Sequence, residues 1–330
     1  MTLIWPASLV ALLALLGLLG AQLPGAQRLI TIYLPYAAAA IFLGGMVWRV
    51  SSWARSPVPF RIPTTCGQQR SLPWIRSARL DNPSTRLGAA LRVALEVVLF
   101  RSLFRNTRAE LRPDGRVVYG SSKVLWASAL AFHGSLAVIV LRHARFFFDP
   151  APAFARALQA ADGFFAVGVP GAYLSDALFL GALAVLAGRR LVDGRLRYIS
   201  LAADHLPLFL LLAVGASGAL LRHVAKTDLV AVKDLGLSLA AFHPRAPAGA
   251  SPLLHVHLLL VCALAAYFPF SKLVHMAGVL LSPTRNLPND NRARRHVNPW
   301  NPPVRVHTYA EWEDDFRDKL KAAGFAVEKE

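Results

Sequence analysis

The chain has 330 residues and a formal net charge of +17, yet only 17% of its residues are charged and 55% are hydrophobic, with a mean hydropathy of +0.42. Soluble domains carry roughly 25% charged residues, so this composition excludes an ordinary soluble enzyme and reads as an all-α, multi-pass membrane protein. The basic excess lies in segments flanking apolar runs, where it orients the chain and meets anionic headgroups of the lipid bilayer, so no nucleic acid is expected as a partner.

Taken in order, residues 1–50 predict two transmembrane helices. The first, about 3–23, is apolar all round, lacks the basic start of a cleaved signal peptide and reads as a retained span closed by Pro24 and Gly25. The second, about 29–50, has Tyr33, Tyr36 and Trp48 as interfacial rings, and Gly44 and Gly45 for close helix contact. Residues 51–124 form a basic loop with thirteen Lys or Arg against four Asp or Glu, which assigns it to the cytoplasmic side. Within it, Arg92, Glu96 and Arg101 recur through an apolar stretch at 87–104, a pattern for a helix lying in the interface. Cys66 stands in a Pro- and Gly-rich part of this loop, inert if alone and thiolate-prone if Arg61 and Arg70 approach it. The other cysteine, Cys262, lies in an apolar run, so neither a disulfide scaffold nor a protein-held iron–sulfur cluster is available.

Residues 125–281 predict four more spans. The third, about 124–148, carries His133 and His143, ten residues and about 15 Å apart on a helix. Arg142 and Arg145 bracket His143, as counter-charges for the carboxylates of a bound group or as snorkelling side chains. The fourth span, about 172–188, is short, and the fifth, about 201–221, has His205 and His223 at its extreme ends, an alternative ligand pair. The sixth is read as one helix over about 252–281, with His257 and His275 on one face, five turns and about 27 Å apart. His255 stands about 200° around that helix from His257. Residues 282–330 form a tail that begins as an Asn- and Pro-rich coil and ends in a short amphipathic segment, also assigned to the cytoplasm.

Two histidines on each of two spans place four imidazoles at two depths. Such pairs suit two planar cofactors, and haem b is the obvious one, because no Cys-x-x-Cys-His attachment motif is present. Six spans put both termini and the basic loop on one side. Depth then pairs His133 with His275 towards the cytoplasm and His143 with His257 towards the outside, although spacings of about 15 and about 27 Å do not match. The rival is a transporter or anchor whose histidines serve packing or proton relay.

The segments FHGSLAVIVLRH, Phe132 to His143, and HLLLVCALAAYFPFSKLVH, His257 to His275, resemble the haem-bearing helices of the respiratory nitrate reductase gamma-subunit family. That resemblance implies a bundle of the same type, with His143 and His257 on an outer haem b, His133 and His275 on an inner one, and quinol oxidised near the outer haem. The loop sequences IPTTCGQQRSLPWI, LDNPST and LEVVLFRSLFRNT, the extra span and the Asn- and Pro-rich tail are similar instead to DsrM, the cytochrome b family of DsrMKJOP complexes. This likeness implies electron exchange between the quinone pool and a DsrK-like cytoplasmic iron–sulfur partner, with the other DsrMKJOP subunits around it. It also implies a place in the cytoplasmic membrane of sulfur-metabolising bacteria; a nitrate reductase partner is the nearer alternative.

Overall fold

The computed structural model describes residues 2–56, 67–163, 172–247, 249–282, 284–292 and 305–329; Cys66 lies outside them. Helix α1 (Ile4–Gly20) is followed by α2 (Pro24–Arg28) and α3 (Leu34–Arg55). A π turn at Leu29–Tyr33 joins the latter two into one run, Pro24–Arg55. Pro35 offers no N–H to the preceding turn, and widening that turn absorbs its ring without breaking the helix.

The basic loop is folded. Thr85 Oγ1 accepts the Gly88 N–H at 3.1 Å and starts α4 (Arg86–Leu99). The predicted single interfacial helix then breaks at Phe100, whose φ of +48° is left-handed, and α5 (Arg101–Arg105) leaves in a new direction. Buried Glu96 holds this corner by accepting the Ser102 N–H at 2.9 Å. A hairpin of β1 (Thr107–Leu111) and β2 (Val117–Ser121) follows, antiparallel with Thr107 opposite Ser121, turning at Gly115 with φ +81°. The prediction of helices throughout missed this small sheet, whose strands are mostly exposed and carry little apolar alternation.

The remainder is helical. It comprises α6 (Lys123–His143) with a 3-10 turn to Phe146, α7 (Ala153–Asp162), α8 (Leu174–Val192), α9 (Gly194–Ile199), α10 (Ala202–His223), α11 (Leu229–Ala240) and α12 (Pro252–Tyr267). After the last of these come α13 (His275–Gly278) and, in the tail, α14 (Tyr309–Ala322). Pro24–Arg55, Lys123–Phe146, Ala202–His223 and Pro252–Phe270 are long and apolar enough to cross a membrane, and Ile4–Gly20 is a shorter apolar helix.

One expectation needs correcting. The sixth span is not a single helix to residue 281: α12 ends at Tyr267, Phe268–Phe270 forms a 3-10 turn, and Ser271 is extended with ψ 178°. Pro269 ends the hydrogen-bond ladder here, since it lacks an N–H and its ring meets the carbonyl four residues back. His257 and His275 therefore leave different segments, and their equal helical phase is not what aligns them.

Helix α10 is the shared wall of two packed groups. Leu206 and Leu210 meet Val10 of α1 and Val256 and Leu260 of α12. Leu211 meets Phe132 of α6 and Phe179, Ala182 and Leu183 of α8. Small residues permit the approach: a Cβ on Gly17 would stand 2.7 Å from Val256 Cα, and one on Gly215 2.7 Å from the Phe179 ring. On one side of the bundle, buried Arg92 ties α4 to the segment after the last span, donating to the carbonyls of Thr284 at 2.9 Å and Arg285 at 2.5 Å. Asn289 adds bonds to Pro83 O at 2.7 Å and Asn82 Oδ1 at 2.7 Å.

Candidate cofactor site

Helix α6 supplies His133 and His143, α12 supplies His257, and the short α13 supplies His275 at its first residue. The break after Tyr267 brings His275 towards α6, so that the His133 and His275 rings lie 6.0 Å apart between centroids at an interplanar angle of 82°. Two imidazoles bound to opposite sides of one metal ion, with bonds of about 2.0–2.1 Å, leave their centroids roughly 6 Å apart. At the other end, His143 lies within electrostatic range of His257.

The hydrogen bonds select one nitrogen on each ring. Nδ1 of His133 bonds Ala129 O at 2.8 Å, that of His143 bonds Ile139 O at 2.7 Å, and that of His275 bonds Lys272 O at 2.7 Å. A carbonyl only accepts, so each of these Nδ1 atoms carries the proton and each Nε2 presents a lone pair. His257 reaches the same state by another route. Ser217 Oγ lies 2.9 Å from His257 Nδ1 and 3.0 Å from Val214 O, and Val214 O is also a backbone partner of the His257 ring, so acceptors face Nδ1. Fixing the tautomer through the distal nitrogen is the usual support of a metal-bound histidine.

Exposure separates the candidates. His133 and His257 are half-buried and His143 and His275 are open, so all four rings border free space. His205 at 3% and His255 at 2% are sealed in packing. Their burial sets both apart from the four half-buried or exposed histidines. Among the described residues no three His, Cys, Asp or Glu converge as a metal cluster. A donor set of two imidazoles suits an ion that brings its own equatorial ligands, which is the chemistry of haem.

The two arginines differ. Arg142 is buried, donates to Asp162 at 2.5 Å and Asp176 at 3.1 Å, and lies 3.7 Å above the Tyr173 ring, which Arg222 also approaches at 3.9 Å. Its charge is met within the protein, and Asp162 also accepts from Ser175 N at 2.8 Å and Ser175 Oγ at 2.7 Å. Arg145, half-buried, donates to the neutral Gln159 at 2.8 Å and lies 4.6 Å from the Phe146 ring, with no ion pair among the described residues.

Sequence reasoning did not find Ser217, Phe100 or the capping helices. Phe100 sits 5.0 Å from His133, and α11 approaches the end of α6 so closely that a Cβ on Gly236 would fall 2.3 Å from Phe146 O. A lone serine in the apolar run GASGALL was the one available signal for Ser217.

The nitrate reductase gamma subunit family matches residues 90–287, which include all four histidines. The chain belongs to that family. It is also 46% identical over 278 residues to an Hdr-like menaquinol oxidoreductase cytochrome b-like subunit of Archaeoglobus fulgidus, covering 82% of this chain and 83% of that protein. A protein of the same description from Archaeoglobus profundus is 46% identical over 276 residues, covering 82% of each chain. The likeness to DsrM read from the loop and tail therefore stands: the chain groups with Hdr-like cytochrome b-like subunits, related to the nitrate reductase gamma family. Both relatives are archaeal, which overturns the assignment to a bacterial membrane.

Proposed function

We propose that this chain is the dihaem b subunit through which electrons pass between menaquinol and an iron–sulfur partner of the heterodisulfide reductase type. The observation that carries this is the pair of histidine pairs, four rings with Nδ1 tied and Nε2 free, set at opposite ends of α6. Haem, when bound, supplies one-electron transfer at each pair. The protein's own part is to fix four ligand orientations, hold a proton on each Nδ1, and keep water from the path between the ends. His143 and His257 take the outer position and His133 and His275 the inner one. Arg145 serves as counter-charge to a carboxylate of the outer group, while Arg142 holds α7 against α6 and α8. Helices α7 and α11 cover the outer end, where a quinol would deliver its electrons.

The two archaeal menaquinol oxidoreductase subunits support menaquinol as donor, and the DsrM likeness supports a DsrK-like partner in dissimilatory sulfur metabolism within a DsrMKJOP-type complex. Six crossings fit the loop contacts. Residues 82–92 and 284–289 are hydrogen-bonded together, so the chain between them crosses an even number of times. With α6, α10 and α12 counted, α8 makes the fourth crossing; its three charges, Asp176, Arg189 and Arg190, lie near its ends. A dithionite-reduced minus oxidised spectrum, followed by addition of a menaquinol analogue to the oxidised protein, tests the reading. A low-spin b-type spectrum that the analogue also produces is expected; a featureless difference spectrum would return the chain to the transporter class.

A further inference from the structure

The inner histidine pair is built on a segment that is not part of a long helix. Ser271 to Val274 leads directly into His275, and its local bonds are few: Ser271 Oγ donates to Phe268 O at 2.9 Å and accepts from Leu273 N at 3.1 Å. A turn this short has little intrinsic stability, since 3-10 geometry is strained and a nucleus of one turn is unfavourable. Core packing of Leu273 and Val274 seats the turn, and a contact of Lys272 itself settles the carbonyl that accepts from His275 Nδ1 at 2.7 Å.

Asp204 supplies that contact. It lies at the start of α10, with its side chain 9% exposed, and its two oxygens face different partners. Oδ2 accepts from Leu201 N at 3.0 Å, which fixes the carboxylate to the helix start, and Oδ1 accepts from Lys272 Nζ at 2.5 Å. The turn also packs through Leu273 on the cluster that contains Leu211 of α10 and through buried Val274, and the Lys272 bond, from a side chain 68% exposed, adds the polar tie to α10. An exposed lysine pair alone is worth little; a carboxylate already buried and oriented makes it a defined attachment.

Building on the haem reading above, we propose that Asp204 is a positioning residue for the inner haem ligand. It anchors Lys272, the Lys272 carbonyl orients the His275 ring and shares its Nδ1 proton, and the electron-donating strength of Nε2 follows. Such distal bonds tune both ligand orientation and redox potential. The outer pair has no link to Asp204, because His257 is held by Ser217 and His143 by Ile139.

The test uses the full chain in its membrane complex, with D204N and K272Q made separately and D204E as the conservative variant. Haem-resolved redox titration and low-spin EPR spectra are the readouts. D204N and K272Q are expected to shift the midpoint potential and the EPR g-value of one haem, the one lost in H275A, while the other haem keeps its wild-type values; D204E restores most of the shift. Because Lys272 is exposed, K272Q does not depend on a refolded core. If both variants leave both haems at wild-type values, the proposal falls. It also falls if D204N acts and K272Q does not, or if both haems move together. Wild-type protein without haem would instead remove the functional reading itself.

Discussion

Each of the four histidines is costly to place in an apolar run unless it binds something, which is why they stood out in the sequence. The sequence paired them by depth along a last span read as unbroken; that span breaks after Tyr267, and the break is what sets the His275 ring 6.0 Å from His133. Ser217 was not legible, since a serine in a helix ordinarily bonds its own preceding turn, and only the fold brings it 2.9 Å from His257. S217A removes one of the two partners of the His257 ring, Val214 O being the other, and the outer haem is expected to shift in potential while the inner haem does not; equal shifts in redox titration would contradict the assignment. H255A, at a sealed ring, is expected to retain full haem content by absorbance. A charge outside the membrane gives a pH prediction. Burial raises the pKa of Asp81, but the hydrogen bond from Arg105 and the charges of Arg101 and Arg105 outweigh it and leave the carboxyl below its ordinary 3.8. A depressed carboxylate contributes stability above the unfolded pKa, near about 3.9, and loses it as pH falls through the folded value. D81N should flatten the acid limb of a stability–pH curve, and an unchanged limb would mean that the ion pairs are idle.

Helices were readable where periodicity was unbroken and misread where one residue changed the backbone. Pro269 was visible in FPFSKLVH, yet the hydrophobic run continued past it and suggested one helix. The break matters because it turns His275 towards His133. Pro269 packs on Gly45, where an added Cβ would stand 2.8 Å from the proline Cβ. G45V is expected to cost about 1–3 kcal/mol by overpacking and to disturb the inner haem first, as read by thermal unfolding and the EPR signal. The other unread elements, α7 and α11, are short helices between the longer apolar ones. Helix α7 is held by the Arg142–Asp162 pair, so R142Q should leave Asp162 buried without its main partner and destabilise by about 3–5 kcal/mol in detergent. A loss under about 1 kcal/mol would show that the pair is exposed in solution.

At the scale of the whole molecule, composition decided the class, and charge is the argument for the side on which the loop lies. The span count was harder, because α8 has charged ends and α1 has only 17 residues. The Arg92 and Asn289 bonds join the basic loop to the segment beyond the last span, so cysteines placed at Arg116 and Asp290 are expected to react with an impermeant thiol reagent from the same face of oriented vesicles. Labelling from opposite faces would mean an odd number of crossings. The central claim, that two histidine pairs hold two haems, is tested most directly by haem content. Pyridine haemochrome analysis of the purified chain, normalised to protein, should give about two non-covalent b haems for wild type, with H275A and H257A each retaining about one and differing in potential. A wild-type ratio near one, or the loss of both haems in H275A with the protein still folded, would contradict it.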